Sequence, residues 1–382
     1  VNILLLSFDY TLLLEPTATQ SEARRRQLGY ARELRRRVPG SNLFIVVRSA
    51  PGTVTRPATI ADDLALYPTP SSAVGFLSVA YRCGCQLCSR HGIDLITSQS
   101  PFSDGLVASL LQSRCKAKWL AQLHMSSLDN PFWLAESRAN RLRAWLGKSM
   151  LRHADAVRVV SESAAVWLQQ SLGIARERVF VIPVGTALVT EPVSVAKEHT
   201  AGQNILFVGR LRVEKGVSTL LRAFQRVKEQ RHDATLVIVG DGPERRNLEE
   251  LALTLGLRES VCFVGMVPYE QLPEFYTKAD VVVLPSLHES YGRVIVEAMS
   301  LGRPVVATDT EGARDLIRHG ETGFIVPVQN VQALASRISY LLWNSLVARK
   351  MGDTARQFVR RTQNPQALCT AQVEMWLKVA GL

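Results

Sequence analysis

"LHESYGRVIVEAMSLGRPVVATD", residues 287–309, follows the apolar run "VVVLPS" and decides how the chain is read. It holds a polar loop with Glu289, Ser290, Tyr291 and Gly292, then an amphipathic stretch, then a second apolar run. Strand, loop, helix and strand in that order form the repeating unit of a parallel sheet. Glu297 lies eight positions after Glu289. On one helix eight residues advance about 800°, roughly 80° out of alignment, so the two acids cannot share one face. The spacing instead puts Glu289 in the loop before the helix and Glu297 in its second turn. One carboxylate can then bind hydroxyls at one end of a ligand and the other hydroxyls further along. Backbone N–H groups near Tyr291 and Gly292 would face an anion between them. Taken singly, each acid reads equally well as a solvated surface carboxylate.

The same alternation runs nearly end to end. Before residue 186 the expected strands are "NILLLS", "NLFIVVR", "DLITSQ", "AKWLAQLH", "AVRVVS" and "VFVIP", with helices over 21–37, 104–115 and 163–172. After residue 203 they are "NILFVGR", "ATLVIVGDG", "VCFVG", "VVVLPS", "PVVATD" and "GFIVP", with helices over 217–230, 243–255, 270–278 and 331–343. Near-continuous apolar strands separated by helices indicate parallel sheets covered on both faces. Each half therefore reads as a doubly wound α/β unit. "PVGTALVTEPVSVAKEHTAGQ", 183–203, loses this period and collects Pro, Thr and Gly. The expected organisation is a first domain over 1–186, a linker over 187–202, a second domain over 203–363, and a terminal helix over 364–382 returning to the first domain. Ligands of such folds bind at the carboxyl ends of the strands.

At 382 residues, 47% hydrophobic and 21% charged, the composition is that of two globular domains and not of a disordered chain. A net charge of +11 calls for an anionic partner. No apolar run approaches the roughly 20 residues that span a bilayer. "VNILLLSFDY" has neither a basic n-region nor a cleavage site, so no signal peptide and a cytoplasmic location are expected. The six cysteines do not make a disulfide framework, and Cys83, Cys85 and Cys88 read as small buried or half-exposed thiols. "CGCQLCSRH", with Cys83, Cys85, Cys88 and His91, is crowded for zinc and reads as a helix end. The basic helix "RRRQLGYARELRRR" reads as a solvated face. "ESRANRLRAWLGKSMLRH" interleaves Leu142, Trp145, Leu146 and Leu151 with five cations. It could lie on the anionic inner face of a membrane, or its leucines could face the domain core. No recognition module or stacking platform points to nucleic acid.

"ILFVGRLRVEKGVSTLLRAF", 205–224, ends a buried strand at Gly209 and places Arg210 and Lys215 in a turn before a helix start. Two cations beside a helix amino terminus suit a diphosphate, although a solvated basic turn would look the same.

Here the chain resembles the retaining glycosyltransferases of family 4, with a GT-B fold of two Rossmann-like domains. "HESYGRVIVEAMSLGRPVVATD" is similar to that family's E-x7-E signature, and "FVGRLRVEKG" to its diphosphate loop. "VIVGDGPERRNLEELA", "VCFVGMVPYEQLPEFYTKADVVVLPS" and "ETGFIVPVQNVQALASRI" complete the likeness. The first half resembles the family more loosely, through "SPFSDGLVASLL", "QLHMSSLDNPFW", "ADAVRVVSESAAVWL" and "VFVIPVG".

The resemblance implies an enzyme that moves a sugar from a UDP- or GDP-linked donor to a lipid-linked or saccharide hydroxyl acceptor, with no cofactor and no metal. Arg210 and Lys215, after Gly209, would hold the diphosphate. Glu297 would bind ribose hydroxyls and Glu289 those of the transferred sugar, with Ser290, Tyr291 and Gly292 near the phosphate. Met266 and Val267 would cradle the base, and His124 would line the donor sugar from the first domain. Two departures stand out. "SFDYTLLLEPTATQSEARRR" lacks the family's glycine-rich loop, leaving Arg24 or the helix start as anion contacts. "TDTEGARDLI" has Glu311 where glycine is common and Asp315 where glutamate is common. A GT-B-like epimerase, a phosphorylase or a non-catalytic partner subunit would share the same architecture.

Overall fold

The structure is a computed structural model that describes residues 1–13, 22–50, 58–61, 64–70, 72–124, 128–186, 188 and 203–382. It divides into two units, Val1–Val184 with Gln366–Leu382, and Gly185–Pro365. The expected linker, 187–202, lies outside the described residues apart from Leu188.

In the first unit the strands are β1 (Asn2–Ser7), β2 (Asn42–Arg48), β3 (Ala58–Ala61), β4 (Leu64–Thr69), β5 (Leu95–Ser98), β6 (Lys118–Leu123), β7 (Ala156–Val159) and β8 (Val179–Val181). They pair in the order β3-β4-β2-β1-β5-β6-β7-β8. All pairings are parallel except the edge, where β3 runs antiparallel to β4, Ala58 opposite Leu66. β3 and β4 correct the sequence reading, which left this segment without strands. Their runs are short, and Pro68 within β4 argues against a strand by its missing N–H. β4 sits beside β2, with Leu43 opposite Leu64, and Pro68 falls near its end.

β1 buries Ile3 to Leu6 almost completely, so its side chains divide between two cores. Leu4 and Leu6 meet Phe76, Leu111 and Trp119 beneath the helices Ala73–His91 and Ser103–Cys115. Cys88 and Cys115 join these two helices by a disulfide, their Cα atoms 5.9 Å apart. This corrects the expectation of a thiol at Cys88. The pairing is made by helix packing, which Cys spacing does not disclose. Among the described residues no group of three His, Cys, Asp or Glu could hold a metal.

Ile3 and Leu5 face the other way, toward Tyr30, Leu34, Val373 and Trp376. That face is covered by the helix Glu22–Arg37 and the terminal helix Pro365–Ala380. Trp376 is 1% exposed and meets Tyr30 edge-on, ring centroids 5.4 Å apart. Such a pair contributes about 0.5–1.5 kcal/mol beyond its burial. The terminal helix belongs to the first unit, to whose core it supplies Val373, Met375 and Trp376.

The second unit contains β9 (Gln203–Val208), β10 (Ala234–Val239), β11 (Val261–Gly265), β12 (Val281–Leu284), β13 (Val305–Thr308) and β14 (Gly323–Val326). They pair in the order β11-β10-β9-β12-β13-β14, all parallel. Helices Val217–Gln230 and Val331–Trp343 bury Leu220, Phe224, Leu334 and Ile338 against one face. No helix of the described residues is long and apolar enough to cross a membrane.

The helix Glu22–Arg37 is more than a solvated basic face. Glu33, buried within it, accepts 2.8 Å hydrogen bonds from Arg36 and Arg37, and Arg37 also reaches Glu374 on the terminal helix. Hydrogen bonds from Arg36 and Arg37 hold the Glu33 carboxyl down to about 2, against the upward push of burial. A carboxylate whose folded pKa is depressed stabilises fully above its ordinary value, here 4.5, and loses that contribution as pH falls toward 2. Thermal melts across pH should show Glu33→Gln with a flatter acid limb between those values. At pH 7 its Tm should fall by about 2–4 °C, equivalent to roughly 1 kcal/mol. An unchanged acid limb would assign acid lability to other carboxylates.

Candidate active site

The second sheet reverses its strand order beside β9. From β9 the chain steps outward to β10 and β11, then returns to place β12 on the other side. Loops leaving the carboxyl ends of β9 and β12 therefore diverge and leave a crevice between them, the switch point at which doubly wound sheets bind ligands. The two loops are tied together: Leu287 N donates to Glu214 O at 2.8 Å. Gly216 makes this approach possible. Its φ is +62°, and a Cβ there would lie 2.1 Å from Pro285 O.

This contact brings together Lys215 and Glu289, 74 positions apart in sequence. Lys215 sits in the turn Val213–Lys215, and its Nζ lies 2.5 Å from Glu289 Oε2. Both side chains are largely buried. Glu289 Oε1 accepts from Gly292 N at 3.3 Å, at the amino terminus of the helix Arg293–Ser300. The carboxylate thus caps a helix, where negative charge is favoured, while a lysine holds its other oxygen. Glu289 O in turn accepts from Gly312 N at 2.8 Å. A Cβ on Gly312 would come within 2.6–2.7 Å of the Tyr291 backbone. The glycine this contact requires is therefore at 312, and Glu311 only opens the helix Glu311–Leu316.

Arg210 follows Gly209 at the end of β9 and is exposed, and no side chain among the described residues pairs with it. Ser290 is half-buried. Tyr291 is buried, and its hydroxyl donates to Gln363 Oε1 at 3.0 Å. Met266 and Val267 follow β11, with Met266 82% exposed, an apolar side chain in water beside the strand ends.

Glu297 lies in the second turn of its helix and is only 3% exposed. Its carboxylate accepts from the Tyr276 hydroxyl at 2.7 Å and from Arg293 Nε at 2.8 Å. Burial, with Glu297 beside it, pushes the Tyr276 phenol far up, so it remains a donor. Arg293 also lies over the Tyr269 ring, 4.7 Å from its centroid, and the Tyr269 hydroxyl meets Thr186. Sequence reasoning missed Tyr276, Arg293 and Tyr269. Arg293 carried a signal, standing four residues before Glu297 on one helix face. Tyr276 carried none.

His124 and Arg24 belong to the first unit. His124 directly follows β6. Burial, then Arg158 and Arg26, hold its imidazole well below the usual 6.5, so it is neutral at neutral pH. Its stabilising contribution falls as pH drops below that value, since the unfolded chain binds the proton more readily. Arg158 is buried across β7 and donates to Gln122 Oε1, Ile182 O and Pro183 O. Arg24 is 7% exposed in its helix.

A cavity of about 140 Å³ opens near Gly216, lined by Arg212, Thr219, Glu244, Leu287 and Gln329. It is smaller than the roughly 300 Å³ at which ligand pockets begin, and neither Lys215 nor Glu289 lines it.

Two family models match the chain in the order of its units. "Glycosyl transferase 4-like domain" covers residues 21–185 and "Glycosyl transferases group 1" covers 195–358. A D-inositol 3-phosphate glycosyltransferase of Corynebacterium urealyticum is 30% identical over 293 residues, 71% of this chain and 69% of that protein. The alpha-D-kanosaminyltransferase of Streptomyces kanamyceticus is 30% identical over 247 residues, 62% of this chain. The chain spans 64% of that relative's length. The structure of Anabaena HepE in complex with UDP-glucose superimposes with a TM-score of 0.74 at 20% identity, covering 99% of both chains.

The glycine and tyrosine contacts are open to test. Gly312→Ala should displace the Glu289–Gly292 loop and lower stability by about 1–3 kcal/mol. Tyr276→Phe should cost about 1.5–3 kcal/mol by leaving a buried carboxylate oxygen short of a donor. Calorimetry should show each as a Tm drop of about 3–10 °C. A neutral Tyr276→Phe would mean that the remaining partners of Glu297, Arg293 among them, satisfy it.

Proposed function

The chain belongs to the glycosyl transferases group 1, with the GT-B fold, and from that premise we propose that it moves a sugar from a nucleoside diphosphate donor to a hydroxyl acceptor. The observation that carries the reading is the Lys215–Glu289 pair set across the switch point, with Gly292 N on the same carboxylate. Arg210 and Lys215 neutralise the diphosphate as it leaves, by charges fixed before the reaction begins. A phosphate arriving at Lys215 takes over part of its hydrogen bonding and frees Glu289 oxygen for the hydroxyls of the transferred sugar. Glu297, oriented by Tyr276 and Arg293, accepts from the ribose. Met266 and Val267 lie against the base, and backbone groups of Ser290, Tyr291 and Gly292 serve the phosphate.

In this reading transfer retains configuration: the acceptor attacks on the leaving-group side, and a donor phosphate oxygen takes its proton. His124, neutral, and Arg24 belong to the acceptor-side unit in this reading, His124 able to donate or accept one hydrogen bond and Arg24 supplying positive charge. The cations do the work that a metal ion would otherwise do, so we place the enzyme among metal-independent transferases without a further cofactor. The relative with bound UDP-glucose favours UDP over GDP. The acceptor is lipid-linked or a saccharide, in glycolipid or cell-surface polysaccharide synthesis.

Thermal-shift titration with UDP, GDP and ADP, without added metal, tests the donor site. A nucleotide at about 100 times its Kd stabilises by about 2.7 kcal/mol, an expected rise of about 5–10 °C. Arg210→Ala and Lys215→Ala should lose that rise. Glu289→Ala should keep it while transfer falls by about 10²-fold or more. Full transfer in Lys215→Ala or Glu289→Ala, or no stabilisation by any nucleotide, would overturn the assignment.

A further inference from the structure

The helix Arg138–His153 resolves the alternatives its sequence left open in an unexpected way. Asn140, Ala144, Gly147 and Leu151 are buried against the first unit. Leu142, Trp145 and Leu146 are exposed, at 58%, 66% and 43%. At about 100° per residue these three stand about half a turn from the buried stripe. The helix is apolar on two opposite faces, and one of them meets water.

Cations flank the outer stripe. Arg143 lies on one side, and Arg141, Lys148 and Arg152 on the other, with Arg138 at the start. The helix itself contains no Asp or Glu. The cations contact neutral groups: Arg141 donates to Leu134 O, Arg143 to the Asn140 side chain and Arg152 to Leu172 O, while Lys148 lies over the Trp167 ring. The helix Glu22–Arg37 differs, because Glu33 and Glu374 neutralise part of its charge. The helix Ser103–Cys115, preceded by Phe102 near Gly147, also exposes Leu106 and Leu110.

We propose that this face of the first unit docks on a bilayer surface of anionic lipids. A tryptophan between two leucines fits the boundary of headgroups and acyl chains, and arginines on both flanks reach lipid phosphates. An acidic protein would meet the charge but not the apolar centre. A second copy of this chain would bring like charge against like charge. The proposal is independent of the transfer reaction and is read without it.

Sedimentation with phosphatidylcholine vesicles, with and without phosphatidylglycerol, tests it. The full chain should bind the anionic vesicles and not the neutral ones. Leu142→Ser/Trp145→Ser/Leu146→Ser, made at exposed positions, should abolish binding while leaving the Tm unchanged. Arg138→Gln/Arg141→Gln/Arg143→Gln should weaken it by about fivefold per charge. The same number of charges removed elsewhere, by Arg25→Gln/Arg32→Gln/Arg35→Gln, should leave most binding intact. The proposal falls if the wild type ignores anionic vesicles, or if the Arg25 set abolishes binding while the apolar triple does not. It also falls if analytical ultracentrifugation shows a dimer that the apolar triple dissociates, because the face then belongs to a second copy.

Discussion

The ion pair between Lys215 and Glu289 can form only where two backbones come closer than any side chain would allow. Gly216 lies against Pro285, and Gly312 against the Tyr291 backbone. A Cβ at Gly216 would wedge apart the loops that carry the lysine and the glutamate, and one at Gly312 would displace the glutamate loop. Both loops leave a sheet whose strand order reverses between β9 and β12, so the crevice is already present in the topology. Sheet order opens the site, glycine contacts narrow it, and the charges then face each other across it.

Glu289 and Glu297 are held in different ways, and the difference suits different tasks. Glu289 retains some exposure and an exchangeable partner, the flexible ammonium of Lys215. Glu297 is buried and fixed by a phenol and a guanidinium, which costs little rearrangement when a hydroxyl arrives. Charge elsewhere follows a similar logic. The two arginine-rich helices look alike in composition. One pairs with a buried glutamate and helps dock the terminal helix, while the other leaves its cations on neutral partners around an exposed tryptophan.

The strands flanking the site were legible because they are buried on both faces, and "NILFV" and "VVVL" carry that burial as unbroken apolar runs. β3 and β4 were not, because an edge pair needs less apolar sequence and Pro68 counts against a strand. The disulfide between Cys88 and Cys115 was hidden for another reason: two helices must pack before the sulfurs meet. At the site, Glu289, Lys215 and Gly292 could be singled out from local spacing. Their mutual contact could not, since it spans 74 positions.

By itself the sequence determined two α/β units, the loop-then-helix setting of Glu289 and Glu297, and the cations after β9. Each of these depends on periodicity or spacing within one strand–loop–helix segment. Only the tertiary structure decided that Lys215 holds Glu289, that Tyr276 and Arg293 hold Glu297, and that Leu142, Trp145 and Leu146 face away from the core. Those outcomes depend on which segments become neighbours, and helical periodicity alone cannot say which of two apolar stripes is the one that is buried.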